Sequence, residues 1–471
     1  MPSSLTNTIF DMTISLAPFD YMILLIYVSV LFWIGLRKGH GNDDYLLAGR
    51  RLTVPLFVMT LVSTWYGGIL GIGEFTFQYG ISNWFIFGFP YYVFAFIFAV
   101  FIIPRLRKYH YKSLPDLMSQ RYGKKPGIIT AVLVSILVTP APYLLIAGLL
   151  FSLILPGNML FWAVILFMIS AFYLYKYGFR TVIQTDVLQF IFMFAGFAIL
   201  MGVLLKNFTF TTDILPALPK NHTKLTGGLS WTYILSWFFI ALWTLVDPGF
   251  HQRCLAAKDS RTAQKGMLIS IGFWAVFDAL TLMTALYGRA LLPKADPLYL
   301  YPLLAEKYLP VGLLGIFYTG LIATVMSTLD SYLFISGQTL GDDLLAQWKT
   351  QGNSPRYYVR WGYAITGVLS LILIWLIPSV VDLWYTIGTL IIPALILPVL
   401  LAYGKKQFTP GIIILSMGGA FIIPVLWFGI SFFTGKGYPL GIEPFYPGLL
   451  WSLLVLFPAG RKKPVENKSE R

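Results

Sequence analysis

Apolar runs long enough to cross a bilayer recur from one end of this 471-residue chain to the other. A hydrocarbon core takes about 20 apolar residues as a helix. Inside it every backbone amide and carbonyl has to be satisfied by the protein itself, which leaves helices for runs of this kind. Thirteen spans are predicted, at residues 20–36, 53–78, 82–104, 127–153, 158–175, 181–205, 230–249, 267–288, 311–340, 359–377, 380–402, 410–432 and 446–459. Only 11% of the residues are charged, against roughly 25% in a soluble domain, and no connection is long enough to fold by itself. The chain reads as an all-α polytopic membrane protein. The first 17 residues lack a basic stretch and the apolar run after Phe19 is long enough to span, so no cleavable leader is expected.

The formal charge of +14 is a topology signal rather than a nucleic-acid signal. The connections at 37–52, 105–126, 176–180, 250–266, 341–360, 403–409 and 460–471 alternate along the chain and hold 27 of the 34 Lys and Arg. The excess of basic residues in cytoplasmic loops places this set inside, with the N-terminus outside and the C-terminus cytoplasmic. A plasma (inner) membrane location is expected, with the lipid bilayer and a small-molecule substrate as partners; neither nucleic acid nor an obligatory protein partner is inferred. Cys254 is the single cysteine, which forbids an intramolecular disulfide. The predicted connection 250–266 puts it in a cytoplasmic loop beside Arg253 and Lys258. Asn221-His222-Thr223 matches a glycosylation acceptor tripeptide in a predicted external loop.

Polar residues cut into one of these runs. In Leu321 to Leu340, Thr324, Ser327, Thr328 and Ser331 fall at i, i+3, i+4 and i+7, one face of a helix. Polar groups at membrane depth normally face protein interior or a water-filled cavity. Hydroxyls and free carbonyls are hard oxygen ligands of the type that suits an alkali cation. The alternative is that Ser and Thr bond back to their own helix or glue neighbouring helices.

Span 53–78 is unusual in another way. Gly67, Gly68 and Gly71 lie within five residues, and Glu74 follows at membrane depth. Such glycine density favours an unwound segment with free backbone groups, or else close packing of the small-xxx-small type through Gly67 and Gly71. A Gly-interrupted span opening one half of a transporter is the sequence pointer to inverted repeats. Spans within 53–206 and within 230–402 number five each, and an odd number inverts the second half. The second half opens with Trp231 to Gly249, which carries Trp231, Trp237 and Trp243 and ends Asp247-Pro248-Gly249. The expected organisation is a peripheral first helix and link (1–52), a first five-helix repeat (53–206), an external loop (207–229), a second, inverted repeat (230–402), two additional helices (403–460) and a polar tail (461–471).

Four stretches, in order, resemble the sodium:solute symporter family. DYLLAGRRL (44–52) is similar to the family's D-Y-F-L-A-G-R. SLPDLMSQRYG (113–123) resembles S-L-P-[DE]-F-x-x-x-R-[FY]-G. YGFRTVIQTDVLQ (177–189) matches G-G-x-[RK]-x-V-x-x-T-D-x-x-Q, and ATVMSTLDS (323–331) matches A-x-x-M-S-T-x-[DS]-S. The match covers about residues 20–460. It implies the leucine-transporter-like fold, a five-plus-five inverted repeat with discontinuous helices.

The resemblance implies a sodium site between the first core helix and segment 321–340. Its ligands would be the hydroxyls of Ser327 and Thr328, the carbonyl of Thr324, and two carbonyls from the unwound part of span 53–78 at about Ser63 and Tyr66. Asp186 matches an acidic residue near that site; the alternative is that it caps a helix start. Where sugar-transporting relatives carry N-I-S-A-E-Q, this chain has STWYGGILG (63–71), about two residues shorter, which counts against a sugar. An aromatic residue nine positions before a Gln-Arg pair closes the family's substrate cavity from inside; Gln252-Arg253 places Trp243 there. Trp65 and Trp237 are the other aromatic cavity candidates. Glu74 either binds a cationic substrate group or lies exposed at the outer mouth. Asp247 and Asp330 read as hydrogen-bonding or gating groups rather than ligands.

The function implied is sodium-coupled symport of a small organic solute into the cell by alternating access. Sodium is the coupling ion, and no organic cofactor and no enzymatic activity are expected. Proton coupling through Asp186 or Glu74, and a transport-deficient sensor or channel, are the alternatives on the same fold. The lost sugar motif and the aromatic residues point to a small amino acid, carboxylate or similar solute.

Overall fold

The computed structural model describes residues 13–36, 41–106, 111–348, 355–435 and 437–459. The predicted tail at 461–471 lies outside the described residues. Helix dominates, and the described residues contain a single isolated β-bridge, between Leu52 and Ala257. Eleven helices among the described residues are long and apolar enough to cross a membrane.

The helices are α1 (Pro18–Gly35), α2 (Val54–Ser63), α3 (Ile69–Tyr79), α4 (Trp84–Leu106), α5 (Lys124–Leu137), α6 (Ala141–Ile154), α7 (Met159–Tyr177), α8 (Phe179–Asn207), α9 (Trp231–Ile240), α10 (Pro248–Ala256), α11 (Ser260–Leu291), α12 (Leu313–Gln338), α13 (Pro355–Leu376), α14 (Val380–Ala402), α15 (Pro410–Thr434) and α16 (Phe445–Ala459). Shorter helices, Leu114–Tyr122 and Leu300–Tyr308, lie in the connections. Each of the thirteen predicted spans coincides with helix, and three of them are interrupted.

Span 53–78 is two half-helices, α2 and α3, separated by turns at 64–68. The glycines serve both readings of the sequence. The chain breaks here, and the missing side chains let neighbours in. A Cβ on Gly67 would lie 2.4 Å from Thr328 Cβ, and one on Gly68 would lie 1.8 Å from the Trp384 ring. Span 127–153 breaks at Val138–Pro140 between α5 and α6, because a proline lacks the N–H a helix interior needs. Thr139 in that break hydrogen-bonds Ser370 at 3.2 Å.

The third interruption corrects the sequence reading. The span predicted to end at Gly249 continues through Ala256. Pro248 occupies the first turn of α10, where its missing N–H costs nothing, and the Asp247 carboxylate caps the new helix by accepting from Phe250 N at 2.9 Å. Arg253 and Cys254 are therefore buried helix residues, not cytoplasmic loop residues. The start of one broken helix meets the end of the other at the basic end of the molecule: Leu52 N, just before α2, donates to Ala256 O, the last residue of α10, at 3.1 Å, and Lys258 N donates to Leu52 O at 3.0 Å.

α8 and α12 cross closely at the centre. A Cβ on Gly320 would approach Phe192 O to 2.6 Å, and Gly196 lies opposite. Small residues at such a crossing let backbones pack in the absence of a hydrophobic drive between membrane helices. The crossing fixes the acidic side chain of α8 against the hydroxyl face of α12.

Candidate functional site

The hydroxyl face of α12 meets the broken end of α2. Ser327 Oγ donates to Asp186 Oδ1 at 2.5 Å, and Ser63 Oγ lies 3.0 Å from Ser327 Oγ. Thr328 Oγ1 donates to the carbonyl of Thr64 at 2.8 Å, inside the α2–α3 break. Thr60 donates to the other carboxylate oxygen of Asp186. Thr324 behaves differently: its hydroxyl bonds back to Gly320 O at 2.7 Å, and its carbonyl lies 3.4 Å from Thr328 Oγ1. The back-bonding alternative thus describes Thr324, whereas Ser327 and Thr328 reach across to other helices. Asp186 does not cap a helix start, because α8 begins two turns earlier at Phe179.

A cation already faces this cluster. Arg253, from α10, stands 3.5 Å from Asp186 with both side chains buried. Its Nη2 donates to Thr64 Oγ1 at 2.6 Å and to Ser331 Oγ at 2.8 Å, and its Nε donates to Thr60 Oγ1 at 3.2 Å. A buried carboxylate without a partner is costly, and the guanidinium with its hydroxyl ring compensates it. Sequence reasoning missed Arg253, Thr60 and Thr64. The Asp247-Pro248 cap was the available signal for Arg253, and the i, i+4 spacing of Thr60 and Thr64 in an apolar run was the signal for the other two.

Beside this cluster lies a cavity of about 680 Å³, counted to its open mouth. Trp65, Trp237 and Trp243, all anticipated, line it together with Tyr91, Tyr143 and Trp384. Tyr66 also lines it, and its hydroxyl donates to Trp274 O at 2.9 Å. The floor is tied together by Asp247, whose Oδ2 accepts from Trp243 Nε1 and from Tyr332 OH, each at 3.1 Å. Toward the basic end the path is closed, with Gln252 Nε2 donating to Leu46 O at 3.1 Å and to Gln338 Oε1 at 2.8 Å.

Glu74 is half-buried on α3 and is not among the residues lining the cavity; Asp296 and Asp382 are the acids that act on it. Asp330 is buried on α12, its carboxyl facing Tyr173, Ser170 and Gln189 without a well-formed hydrogen bond. Asp278 lines the cavity and had not been singled out. Its position inside the apolar run FWAVFDALTL was the signal.

Comparison with known proteins gives the family and the fold. The profile of the sodium:solute symporter family matches residues 45–411. The sodium/proline symporter of Staphylococcus aureus (strain NCTC 8325 / PS 47) is 21% identical over 481 aligned positions, covering 94% of this chain and 93% of that protein. Among solved structures, a Na+-coupled sialic acid symporter in a substrate-bound outward-open state superposes with a TM-score of 0.77 at 16% identity, covering 95% of this chain and all of that one. Mhp1, a nucleobase-cation-symport-1 family transporter, gives 0.58 at 13% identity, with 89% and 94% covered. These likenesses show the fold: a leucine-transporter-like five-plus-five inverted repeat with discontinuous helices. The chain belongs to the sodium:solute symporter family, multi-pass membrane proteins that couple sodium to the symport of a small solute.

Proposed function

We propose that this chain takes a small organic solute into the cell, that sodium binds where Ser327, Thr328, Ser63 and Asp186 converge on the α2–α3 break, and that the solute binds in the adjoining aromatic cavity. The halves 53–206 and 230–402 act as the two inverted repeats. The basic end faces the cytoplasm of the plasma membrane, with the N-terminus outside and the C-terminus inside; the placement of 27 of the 34 Lys and Arg supports this orientation. The observation that carries the reading is that the Thr328 hydroxyl of α12 reaches the unwound backbone of α2–α3 at Thr64 O while its neighbour Ser327 reaches the buried carboxylate of Asp186. The carbonyls of Thr324, Ser63 and Tyr66 remain the proposed backbone ligands.

Sodium at this point ties α2–α3 to α12 and favours the state open to the outside. Coupling requires only that sodium bind one state better than the other. Arg253 holds the same carboxylate, so the ion and the guanidinium compete for Asp186, and the guanidinium neutralises it once sodium has left toward the cytoplasm. The driving force suffices. A sodium gradient of about tenfold gives ~1.4 kcal/mol, and about 100 mV acting on one charge gives ~2.3 kcal/mol. Together they sustain a solute gradient of roughly 500-fold.

The test is thermal stability of the purified protein in sodium against potassium at equal ionic strength. A sodium-specific rise, absent when Ser327→Ala and Thr328→Ala are combined, is the expected result. Equal stability in the two ions would overturn the ion site.

A further inference from the structure

We propose, on the symport reading above, that the cavity is built for a solute carrying a compact alkylated ammonium group, held by aromatic faces and by the carboxylate of Asp278. Nine of the thirteen lining residues are Trp, Tyr or Phe, and no Lys, Arg or His is among them. The face of an aromatic ring carries negative potential and attracts a cation, most of all where water is excluded. Several such faces around one space attract an alkylated ammonium in particular, because its methyl or methylene shell also buries apolar surface.

The acid supplies the charge. Asp278 sits on α11 in an apolar run, where an ionisable residue is expensive and marks a functional place. It forms no ion pair among the described residues. Tyr92 donates to its Oδ2 and the Tyr66 hydroxyl, which donates to Trp274 O, stands near it; two phenols still leave part of a carboxylate's acceptor capacity free. Asp186, by contrast, is matched by Arg253 and does not line the cavity. The two acids are thus divided between the two cargoes, Asp186 for sodium and Asp278 for the solute.

The lining also discriminates against the carboxylates raised by the sequence. A simple organic anion would meet π faces and Asp278 with no basic side chain to receive it. Trp237 lines the cavity, and its indole N–H stands near the Tyr233 hydroxyl without a well-formed hydrogen bond. A hydroxyl or carboxylate oxygen a few bonds from the ammonium would satisfy it, so choline-like and betaine-like solutes match the site better than a bare cation.

The experiment measures melting temperature in sodium with tetramethylammonium, choline or glycine betaine, and with 3,3-dimethylbutanol, the uncharged isostere of choline. Choline or glycine betaine is expected to add to the sodium-specific rise, and the isostere to do so about tenfold more weakly or not at all. Asp278→Asn is expected to lose the ammonium effect while its sodium-specific rise shows that it has folded. No shift with any ammonium compound, or an equal shift with the isostere, would overturn the proposal in the wild-type protein alone. Loss of the sodium-specific rise counts against the coupling reading instead, and an ammonium shift seen without it would still support the cavity assignment.

Discussion

Arg253 and Asp186 stand 3.5 Å apart across the interface of α10 and α8, both removed from solvent. Neither half of such a pair can be deleted cheaply. Removing the cation leaves a buried carboxylate whose compensation is gone, at a cost of about 3–5 kcal/mol. Arg253→Gln is therefore expected to lower the melting temperature sharply in potassium and much less in sodium, because sodium replaces the missing charge. An equal loss in both ions would show that the guanidinium and the ion do not share the acid.

Ser327 and Thr328 are expected to act on affinity rather than on folding. Their hydroxyls find partners outside their own helix, Ser327 at Asp186 and Ser63 and Thr328 at Thr64 O. Ser327→Ala with Thr328→Ala should raise the sodium concentration for half-maximal uptake by about tenfold or more, since a hydroxyl contact to a charged group is worth roughly 1.5–3 kcal/mol. Asp186→Asn should do the same. Sodium activation curves of the variants decide this, and curves that overlay the wild type would exclude these side chains as ligands.

Gly68 marks where the unwound segment touches the cavity wall. Its added Cβ would fall 1.8 and 1.9 Å from two carbons of the Trp384 ring. Gly68→Ala is expected to abolish solute uptake, and Trp384→Leu in the same chain to restore folding by making room. Normal uptake by Gly68→Ala alone would mean that the two segments are not packed in the state that binds solute.

His222 provides a pH test outside the membrane spans. It is buried, its Nε2–H donates to Phe77 O at 2.9 Å, and burial pushes its ring below the ordinary value of 6.5, with Arg289 acting in the same direction. A group whose folded pKa is depressed stabilises the fold above its unfolded pKa and loses that contribution as pH falls. Stability should therefore decline below about pH 6.5, and the decline should be shallower in His222→Gln. Parallel pH profiles of the two proteins would remove His222 from the account.

The spans were legible because hydrocarbon thickness sets a length that the sequence cannot hide. The α2–α3 break was legible from Gly67, Gly68 and Gly71, since clustered glycines at membrane depth mark a broken segment or a close approach, and here they mark both. The meeting of Ser327 with Asp186 was not: 141 residues separate them, and only the family pattern put both near one ion. Arg253 was hidden by a sound rule applied at the wrong boundary. Asp247-Pro248-Gly249 reads equally well as the end of one helix and the cap of the next, and the first choice sends Arg253 into a loop. Asp278 escaped because a single acid in an apolar run has no periodicity to announce it.

The bridge between Leu52 and Ala257 has a mechanical consequence. Two backbone hydrogen bonds lace the lead-in of α2 to the exit of α10, so the two broken helices share a hinge plate at the basic end. A rocking motion must either carry both helices as one piece or tear that lacing. If they travel together, the floor that Asp247 caps and the seal that Gln252 makes travel with them, and opening toward the basic end becomes a single stroke rather than a sequence of separate latches.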